Sequence, residues 1–226
     1  AAGSFISFID ADDEIEKDFL EKLYKNITEF NTDISMCSVK LFDDKKKKIL
    51  EDDYYNFSVF PSDFDKKAFS FEAAKDFIME IPVMAWNKLY RRSFLCSTGA
   101  EFPEGLIFED GAFFFKICFK TKCLSIVREP LYIYRINRRG SIIKKGGKKF
   151  LDIIDIVNIM FEELKKTDIF EDIKYSFFKC KADDIIYRYR HLPEKLKKEF
   201  AEKFRNESCL LDETVFNFLK IRAKQR

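Results

Sequence analysis

Residues 5–13 read Phe-Ile-Ser-Phe-Ile-Asp-Ala-Asp-Asp, and this stretch decides the fold class. The strand-forming residues Phe5 to Ile9 run directly into three carboxylates within four positions. A buried strand that ends in acidic residues brings negative charge to the carboxyl edge of a sheet, where open α/β folds bind their ligands. Mg²⁺ takes one or two carboxylates and completes its shell with substrate phosphates. The stretch therefore predicts an α/β fold in which Asp10 and Asp12 face a metal ion.

The acidic residues also have a purely structural interpretation, as the cap of the next helix. Apolar residues between Glu16 and Phe30 recur with the 3.6-residue period of an amphipathic helix. Acidic residues ahead of such a helix accept hydrogen bonds from its free N–H groups and complement its dipole. The two interpretations are compatible, because Asp13 can cap the helix while Asp10 and Asp12 bind the metal.

The composition limits the classes of protein that need to be considered. The net charge of +2 over 226 residues argues against a dedicated nucleic-acid binder. A single histidine, His191, rules out a multi-histidine zinc site. Six cysteines without a CxxC spacing predict reduced thiols in a cytosolic protein. No uncharged apolar run reaches the roughly 18–20 residues that a membrane-spanning helix needs.

The predicted elements indicate an α/β region followed by a helical region. After the first helix, strands are predicted at 33–42, 123–127 and 131–136, the last two separated by a turn at Glu129-Pro130. A charged hairpin or exposed loop is expected over 43–53. The later helices are predicted at 71–81 and 112–120, from 148 onward, and at roughly 171–190, 194–206 and 212–223.

Four polar segments stand at the ends of predicted elements and supply the candidate functional residues. They are Asp10/Asp12, Trp86-Asn87-Lys88, Glu109-Asp110 and the basic loop from Arg135 to Ser141. Taken singly, each segment has a simpler explanation. An acidic pair commonly starts a helix, a tryptophan is commonly part of the core, and an arginine loop commonly faces solvent.

Five segments in this order resemble the family 2 glycosyltransferases of the GT-A fold, most of all bacterial members that build surface polysaccharide. The segments are FISFIDADD (5–13), DISMC (33–37), WNKLYRR (86–92), FPEGLIFEDGAFFFK (102–116) and EPLYIYRINRRGSI (129–142). The resemblance implies an α/β protein with a partial, Rossmann-like GT-A domain and a mixed sheet over 1–143. Residues 148–226 would then be a helical C-terminal extension.

The resemblance also implies how the donor is bound. Asp10 and Asp12 match the family's DxD motif, whose carboxylates hold Mn²⁺ or Mg²⁺ against the diphosphate of a nucleotide-sugar donor. Asp13 would contribute to binding the ribose or the sugar of the donor. The segment that holds Arg135, Arg139 and Ser141 is similar to the family's closing loop, which can reach the phosphates of the donor.

On the acceptor side, Asp110 matches the catalytic base of inverting members, and Trp86, Asn87 and Glu109 would line the acceptor. The implied reaction is an inverting, metal-dependent, hexosyltransferase-type transfer to a hydroxyl of a glycan or lipid-linked acceptor. Family members carry further strands ahead of the DxD strand. We therefore expect this chain to be a fragment that binds a sugar nucleotide poorly by itself.

A non-catalytic interaction module is the alternative function. Residues 144–226 hold 20 basic and 15 acidic side chains, and such a basic helical region could dock on a membrane surface or a partner protein. For the enzyme, the same region predicts peripheral contact with the inner face of the cell membrane. Single-stranded nucleic acid is not an expected partner, because the aromatic residues follow the period of a core.

Overall fold

The computed structural model of the protein describes residues 2–138 and 147–211. The chain divides into two compact units. The first comprises Ala1–Glu101 and Lys116–Lys144, and the second comprises Phe102–Phe115 and Lys145–Arg226. Residues 102–115 thus group with the C-terminal region, whereas the sequence assigned them to the first domain. The predicted domains, 1–143 and 148–226, stay a prediction.

The first unit is built on a mixed β-sheet. Its strands are β1 Phe5–Ser7, β2 Glu14–Ile15, β3 Ile34–Asp43, β4 Lys48–Leu50, β5 Lys88–Arg91 and β6 Leu124–Ile136. Their order in the sheet is β1-β5-β3-β6-β2, and β4 pairs with β3 outside this path. β3 and β6 run parallel, and the other described pairs are antiparallel. The predicted α/β class with a mixed sheet is confirmed.

The helices of the described residues are α1 Phe19–Glu29, α2 Arg92–Thr98, α3 Glu109–Cys118, α4 Asp152–Leu164, α5 Phe170–His191 and α6 Glu194–Glu207. The helix predicted at 212–223 lies outside the described residues. None of the described helices combines the length and the apolar character needed to cross a membrane.

The turn predicted at Glu129-Pro130 is wrong, because both residues lie inside the single strand β6. The pairing of β6 with β3 shifts register on both sides of Ser38, and Pro130 is the partner of Ser38. A bulge tolerates a proline inside a strand, since the missing N–H falls where the ladder is already interrupted.

Two other elements are shorter than predicted. The strand predicted from Phe5 to Ile9 ends at Ser7. The short helix predicted over 71–81 forms only as a 3₁₀ helix, at Lys75–Glu80. The buried Ala74 and Ile78 produce an apolar period in the sequence that fits either a helix or an irregular buried segment.

The core of the first unit lies between α1 and the sheet. Phe19, Leu23 and Ile27 on α1 are fully buried and belong to one apolar cluster with Val39 and Tyr132 of the sheet. Burying a side chain of this size stabilises the fold by about 1.5–3 kcal/mol. This packing fixes β6, whose residues contact the acidic stretch after β1.

The second unit has its own apolar core. The buried face of α4 includes Ile154, Val157 and Phe161. Phe161 stacks on Phe177 of α5, with ring centroids 5.9 Å apart. Both rings belong to the second unit.

Candidate functional site

The acidic stretch Asp10–Asp13 forms a turn shortly after β1. The backbone N–H of Asp13 donates to the carbonyl oxygen of Asp10 at 3.1 Å and closes the turn. The next element is the short strand β2, and α1 begins only at Phe19. The prediction that Asp13 caps this helix is therefore wrong. Residue Asp18 occupies the cap position and makes no side-chain capping hydrogen bond.

Asp13 is held by β6 through two hydrogen bonds. The hydroxyl of Tyr132 donates to Asp13 Oδ2 at 2.9 Å, and the backbone N–H of Arg135 donates to Oδ1 at 2.9 Å. The Tyr132 hydroxyl also accepts the backbone N–H of Asp10 at 3.2 Å. One tyrosine side chain thus fixes both ends of the acidic turn.

The environment of Asp13 favours its protonated form. Burial, assisted by the charges of Asp10 and Asp12, raises the pKa of Asp13 to about 6 against the lowering effect of its hydrogen bonds from Arg135 and Tyr132. The negative charges of Asp10 and Asp12 lie close enough to Asp13 to disfavour its ionised form.

Two arginines accompany the acidic turn. The guanidinium of Arg138 pairs with the carboxylate of Asp12. Arg135 donates through Nη2 to both carboxylate oxygens of Asp44 at 3.0 Å and through Nη1 to the Asp12 carbonyl at 3.4 Å. The Nε atoms of Arg135 and Arg138 are buried and make no hydrogen bond to the described residues. Both guanidinium groups thus contact Asp12, Arg138 through the carboxylate and Arg135 through the backbone carbonyl.

Asp10 and Asp12 suit a metal ion that is shared with a substrate. Within residues 2–138 and 147–211, no group of three His, Cys, Asp or Glu side chains is placed to hold a metal by itself. Two carboxylates are what Mg²⁺ requires from a protein when phosphate oxygens complete its shell. The donor set, made only of oxygens, fits Mg²⁺ or Mn²⁺ held jointly with a diphosphate.

The segment Trp86-Asn87 lies inside the first unit. Trp86 is 3% exposed and stacks on Tyr132, with ring centroids 4.3 Å apart. Asn87 is fully buried and donates through Nδ2 to the Cys37 carbonyl at 2.7 Å. Both residues therefore support the sheet and the ring of Tyr132. Their predicted place on the acceptor side stays a prediction.

Sequence reasoning gave no role to Lys88, which is also fully buried. Its Nζ donates to the carbonyl oxygens of Pro82 and Met84 at 2.6 and 2.5 Å and to Asn87 Oδ1 at 2.7 Å. Lys88 thereby ties the segment before β5 to the strand. Its position between Trp86-Asn87 and Leu89-Tyr90 was the available signal, since a lysine among buried residues requires partners.

Tyr132 was also missed as a functional residue. It belongs to the segment Leu131 to Ile136, which was predicted as a strand and is part of the stretch 129–142 that resembles the family, but Tyr132 itself was given no role. The available signal was alternation, because Tyr132, Tyr134 and Ile136 share one face of a strand and Leu131 and Ile133 the other.

Glu109 and Asp110 occupy the first turn of α3 in the second unit. Both are half-buried. Phe108, directly before them, has a φ of 67°, in the left-handed region. Asp10 and Asp12 belong to the first unit, so the predicted joint action of these carboxylates with Asp110 stays a prediction. Arg139 and Ser141 lie outside the described residues.

The sequence of this chain is similar to those of known glycosyltransferases. Residues 1–95 match the sequence model of glycosyl transferase family 2. The chain is 34% identical to the putative glycosyltransferase EpsH of Bacillus subtilis over 156 residues, which cover 67% of this chain and 43% of that protein. It is 29% identical to the glycosyltransferase GlyA of Streptococcus pneumoniae over 172 residues, 72% of this chain and 23% of GlyA. The chain thus spans less than half of either relative.

Solved structures share the fold. Residues 1–349 of S. aureus TarS in complex with UDP-GlcNAc match with a TM-score of 0.56 at 17% identity, over 92% of this chain and 69% of that one. The UDP complex of the same protein matches with a TM-score of 0.51 at 16% identity, over 92% and 64%. At this identity the likeness concerns the fold.

Proposed function

Because this chain belongs to glycosyl transferase family 2, we propose that it transfers a sugar from a nucleotide-diphosphate donor to a hydroxyl of a glycan or lipid-linked acceptor. The observation that carries the proposal is the turn Asp10–Asp13, anchored by Tyr132 and flanked by Arg135 and Arg138. The turn lies within the residues that match the family. The TarS complexes with UDP-GlcNAc and UDP support a uridine nucleotide sugar as the donor.

In this proposal, Asp10 and Asp12 hold Mg²⁺ or Mn²⁺. When bound, the ion would neutralise the charge that develops on the diphosphate leaving group. Arg138 pairs with the carboxylate of Asp12, and Arg135 donates to the backbone carbonyl of the same residue. Charge-assisted hydrogen bonds from guanidinium groups to phosphate oxygens are strong, so the two arginines add to the same stabilisation.

We propose Asp110 as the catalytic base. An acceptor hydroxyl is a poor nucleophile, and a carboxylate that takes its proton makes attack on the anomeric carbon feasible. The hydroxyl oxygen forms the new bond to that carbon as the bond to the diphosphate breaks, and the proton passes to Asp110. A single displacement inverts the configuration and needs no second nucleophilic carboxylate. An acceptor in surface polysaccharide synthesis is part of the same proposal.

Thermal unfolding with Mn²⁺ and UDP tests the metal and donor site directly. We expect the midpoint of the full gene product to rise only when both are added, because each completes the binding site of the other. Asp12→Asn should abolish most of that rise. Asp76→Asn, an exposed acidic residue of the same unit, is the matched control and should behave as the parent protein.

Two outcomes of this experiment contradict the proposal. An equal rise in the Asp12→Asn variant would show that the ligand binds elsewhere. No rise in the parent protein with UDP or another nucleoside diphosphate would favour the non-catalytic interaction module instead.

A further inference from the structure

The loop before Glu109 and Asp110 is held by residues far along the chain, all within the second unit. The backbone N–H of Ile107 donates to Asp152 Oδ2 at 3.0 Å. Lys149 donates through Nζ to the carbonyl oxygen of Gly105. Both partners belong to the start of α4 and the turn before it. The C-terminal region therefore binds the loop through its backbone, whatever side chains the loop carries.

Phe108 is the residue of this loop that needs support. Its φ of 67° lies in the left-handed region, which is strained for a residue with an aromatic side chain. The Phe108 ring lies between two partners: its centroid is 5.8 Å from that of Phe150 and 3.9 Å from the guanidinium carbon of Arg188 on α5. Strain of this kind persists only where the surrounding contacts enforce it.

The conformation of Phe108 sets the start of α3. The carbonyl oxygen of Phe108 accepts the backbone N–H of Gly111 at 3.1 Å, which forms the first turn around Glu109 and Asp110. Gly111 packs against α4, since a Cβ atom placed there would lie 3.3 Å from the sulfur of Met160. The turn that carries the two acids is thus fixed at its beginning by Phe108 and at its side by α4.

Arg188 suits this position through the shape of its side chain. A planar guanidinium stacks on an aromatic face, whereas the ammonium of lysine is a point charge. A distance of 3.9 Å is well within the range of about 6 Å over which a cation is attracted to a ring centroid. The Nε atom of Arg188 is buried and makes no hydrogen bond to the described residues.

We propose that Arg188 is a positioning residue for Asp110, acting through the ring of Phe108. The inference rests on the proposed function, in which Asp110 is the base. The proposal gives the C-terminal helices a role in the reaction, because they hold the carboxylate of Asp110 in the orientation that catalysis needs. This role requires no contact between these helices and the substrate. Misplacing a catalytic group by about 1 Å can lower the rate by about 100-fold.

Amide hydrogen exchange of residues 105–111 tests the positioning without any substrate. In Arg188→Gln we expect exchange about tenfold faster than in the parent protein, because the left-handed conformation loses its support. Arg188→Lys should give an intermediate rate. Phe108→Leu, which keeps an apolar side chain and removes the ring face, should match Arg188→Gln. Arg190→Gln, an exposed arginine of the same helix, is the control and should exchange as the parent does.

Turnover of UDP-GlcNAc by the full gene product tests the catalytic consequence. Arg188→Gln should lower kcat about tenfold or more and leave KM for the donor unchanged, and Arg188→Lys should recover part of kcat. Equal exchange in Arg188→Gln and Arg190→Gln overturns the inference. Faster exchange with an unchanged kcat overturns it too. A parent protein without turnover on any nucleotide sugar overturns the proposed function instead, and the exchange rates still decide whether Arg188 holds the loop.

Discussion

Tyr132 connects the sheet, the acidic turn and the only tryptophan through one side chain. Its ring is fully buried and stacks on Trp86, and its hydroxyl donates to Asp13 while accepting the N–H of Asp10. Burial raises the pKa of Tyr132 well above its usual range, so the hydroxyl keeps its proton and remains a donor. A single oxygen atom thus takes part in two of the hydrogen bonds that hold the acidic turn.

Removing that oxygen should loosen the turn and leave the core intact. We expect Tyr132→Phe to lower the free energy of unfolding by about 1–2 kcal/mol, because Asp13 and the Asp10 N–H each lose a partner. The rise in unfolding midpoint with Mn²⁺ and UDP should also shrink. Urea unfolding and thermal unfolding measure the two effects. Tyr24→Phe, at a tyrosine that is 54% exposed, should change neither, and equal effects at both positions would contradict this role.

The cysteines should differ strongly in reactivity. Burial raises the pKa of the Cys37 thiol to about 12, and the thiolate is the reactive form, whereas Cys96 is exposed. We expect iodoacetamide at pH 8 to modify Cys96 in the native protein and Cys37 only after unfolding. Mass spectrometry of peptides after brief labelling measures this. Early modification of Cys37 would show that the core around β3 opens readily.

At the scale of elements, β5 is organised by a buried cation. Lys88 gives three hydrogen bonds to the segment 82–87, which places Trp86 against the sheet. A buried ammonium is costly unless its protons are all bonded, and here three acceptors meet it. Lys88 thus links the irregular segment 82–87 to β5.

Lys88→Met tests this arrangement. We expect a loss of about 3 kcal/mol in the free energy of unfolding, because two carbonyl groups and the Asn87 amide oxygen lose their buried donor. Lys48→Met provides the control, since Lys48 is likewise the first residue of a strand but is exposed; it should change stability by less than about 0.5 kcal/mol. Urea unfolding measures both. A Lys88 variant as stable as the Lys48 variant would contradict the argument.

Elements with a strong period could be predicted from the sequence, and elements shaped by tertiary contacts could not. α1 and β3 follow their apolar patterns to within a few residues. β6 was divided in two, because a proline in a strand normally signals a turn and the bulge opposite Ser38 has no signal of its own. At the candidate site, Asp10 and Asp12 were predicted as metal ligands from residue type and spacing, and this role stays a prediction. Tyr132 was missed, since its partners Asp10 and Asp13 lie far away in sequence. Lys88 was named within a candidate segment but given no role, because two of its three acceptors are backbone carbonyl groups, which no residue type marks.

At the scale of the whole molecule, the proposed chemistry is divided between the two units. The candidate metal ligands belong to the first, and Asp110, with the residues that hold its loop, belongs to the second. Each unit has its own apolar core. A short segment, Phe102–Phe115, joins the second unit from the middle of the chain.

Single substitutions in each unit should therefore have the same consequence for transfer. We expect Asp12→Asn and Asp110→Asn each to lower kcat of the full gene product by about 100-fold or more, with little change in stability. The double variant should be scarcely worse than either one, because both groups serve the same step. Nucleotide release from UDP-GlcNAc measures the rate. Glu104→Gln, an exposed acid of the second unit, is the control.

Either of two results contradicts the shared step. Full turnover in Asp110→Asn would remove this residue from the role of base. Effects of the two substitutions that multiply in the double variant would show that Asp12 and Asp110 act in separate processes.

The stacking of Trp86 on Tyr132 provides the protein with an intrinsic optical reporter. Excitation at wavelengths that select indole reports from one position, since the chain has a single tryptophan. The indole of Trp86 stacks on the ring of Tyr132, whose hydroxyl donates to the carboxylate of Asp13. Occupation of the acidic turn by an ion and a diphosphate should change its emission, so binding constants for candidate donors can be obtained by titration without a label.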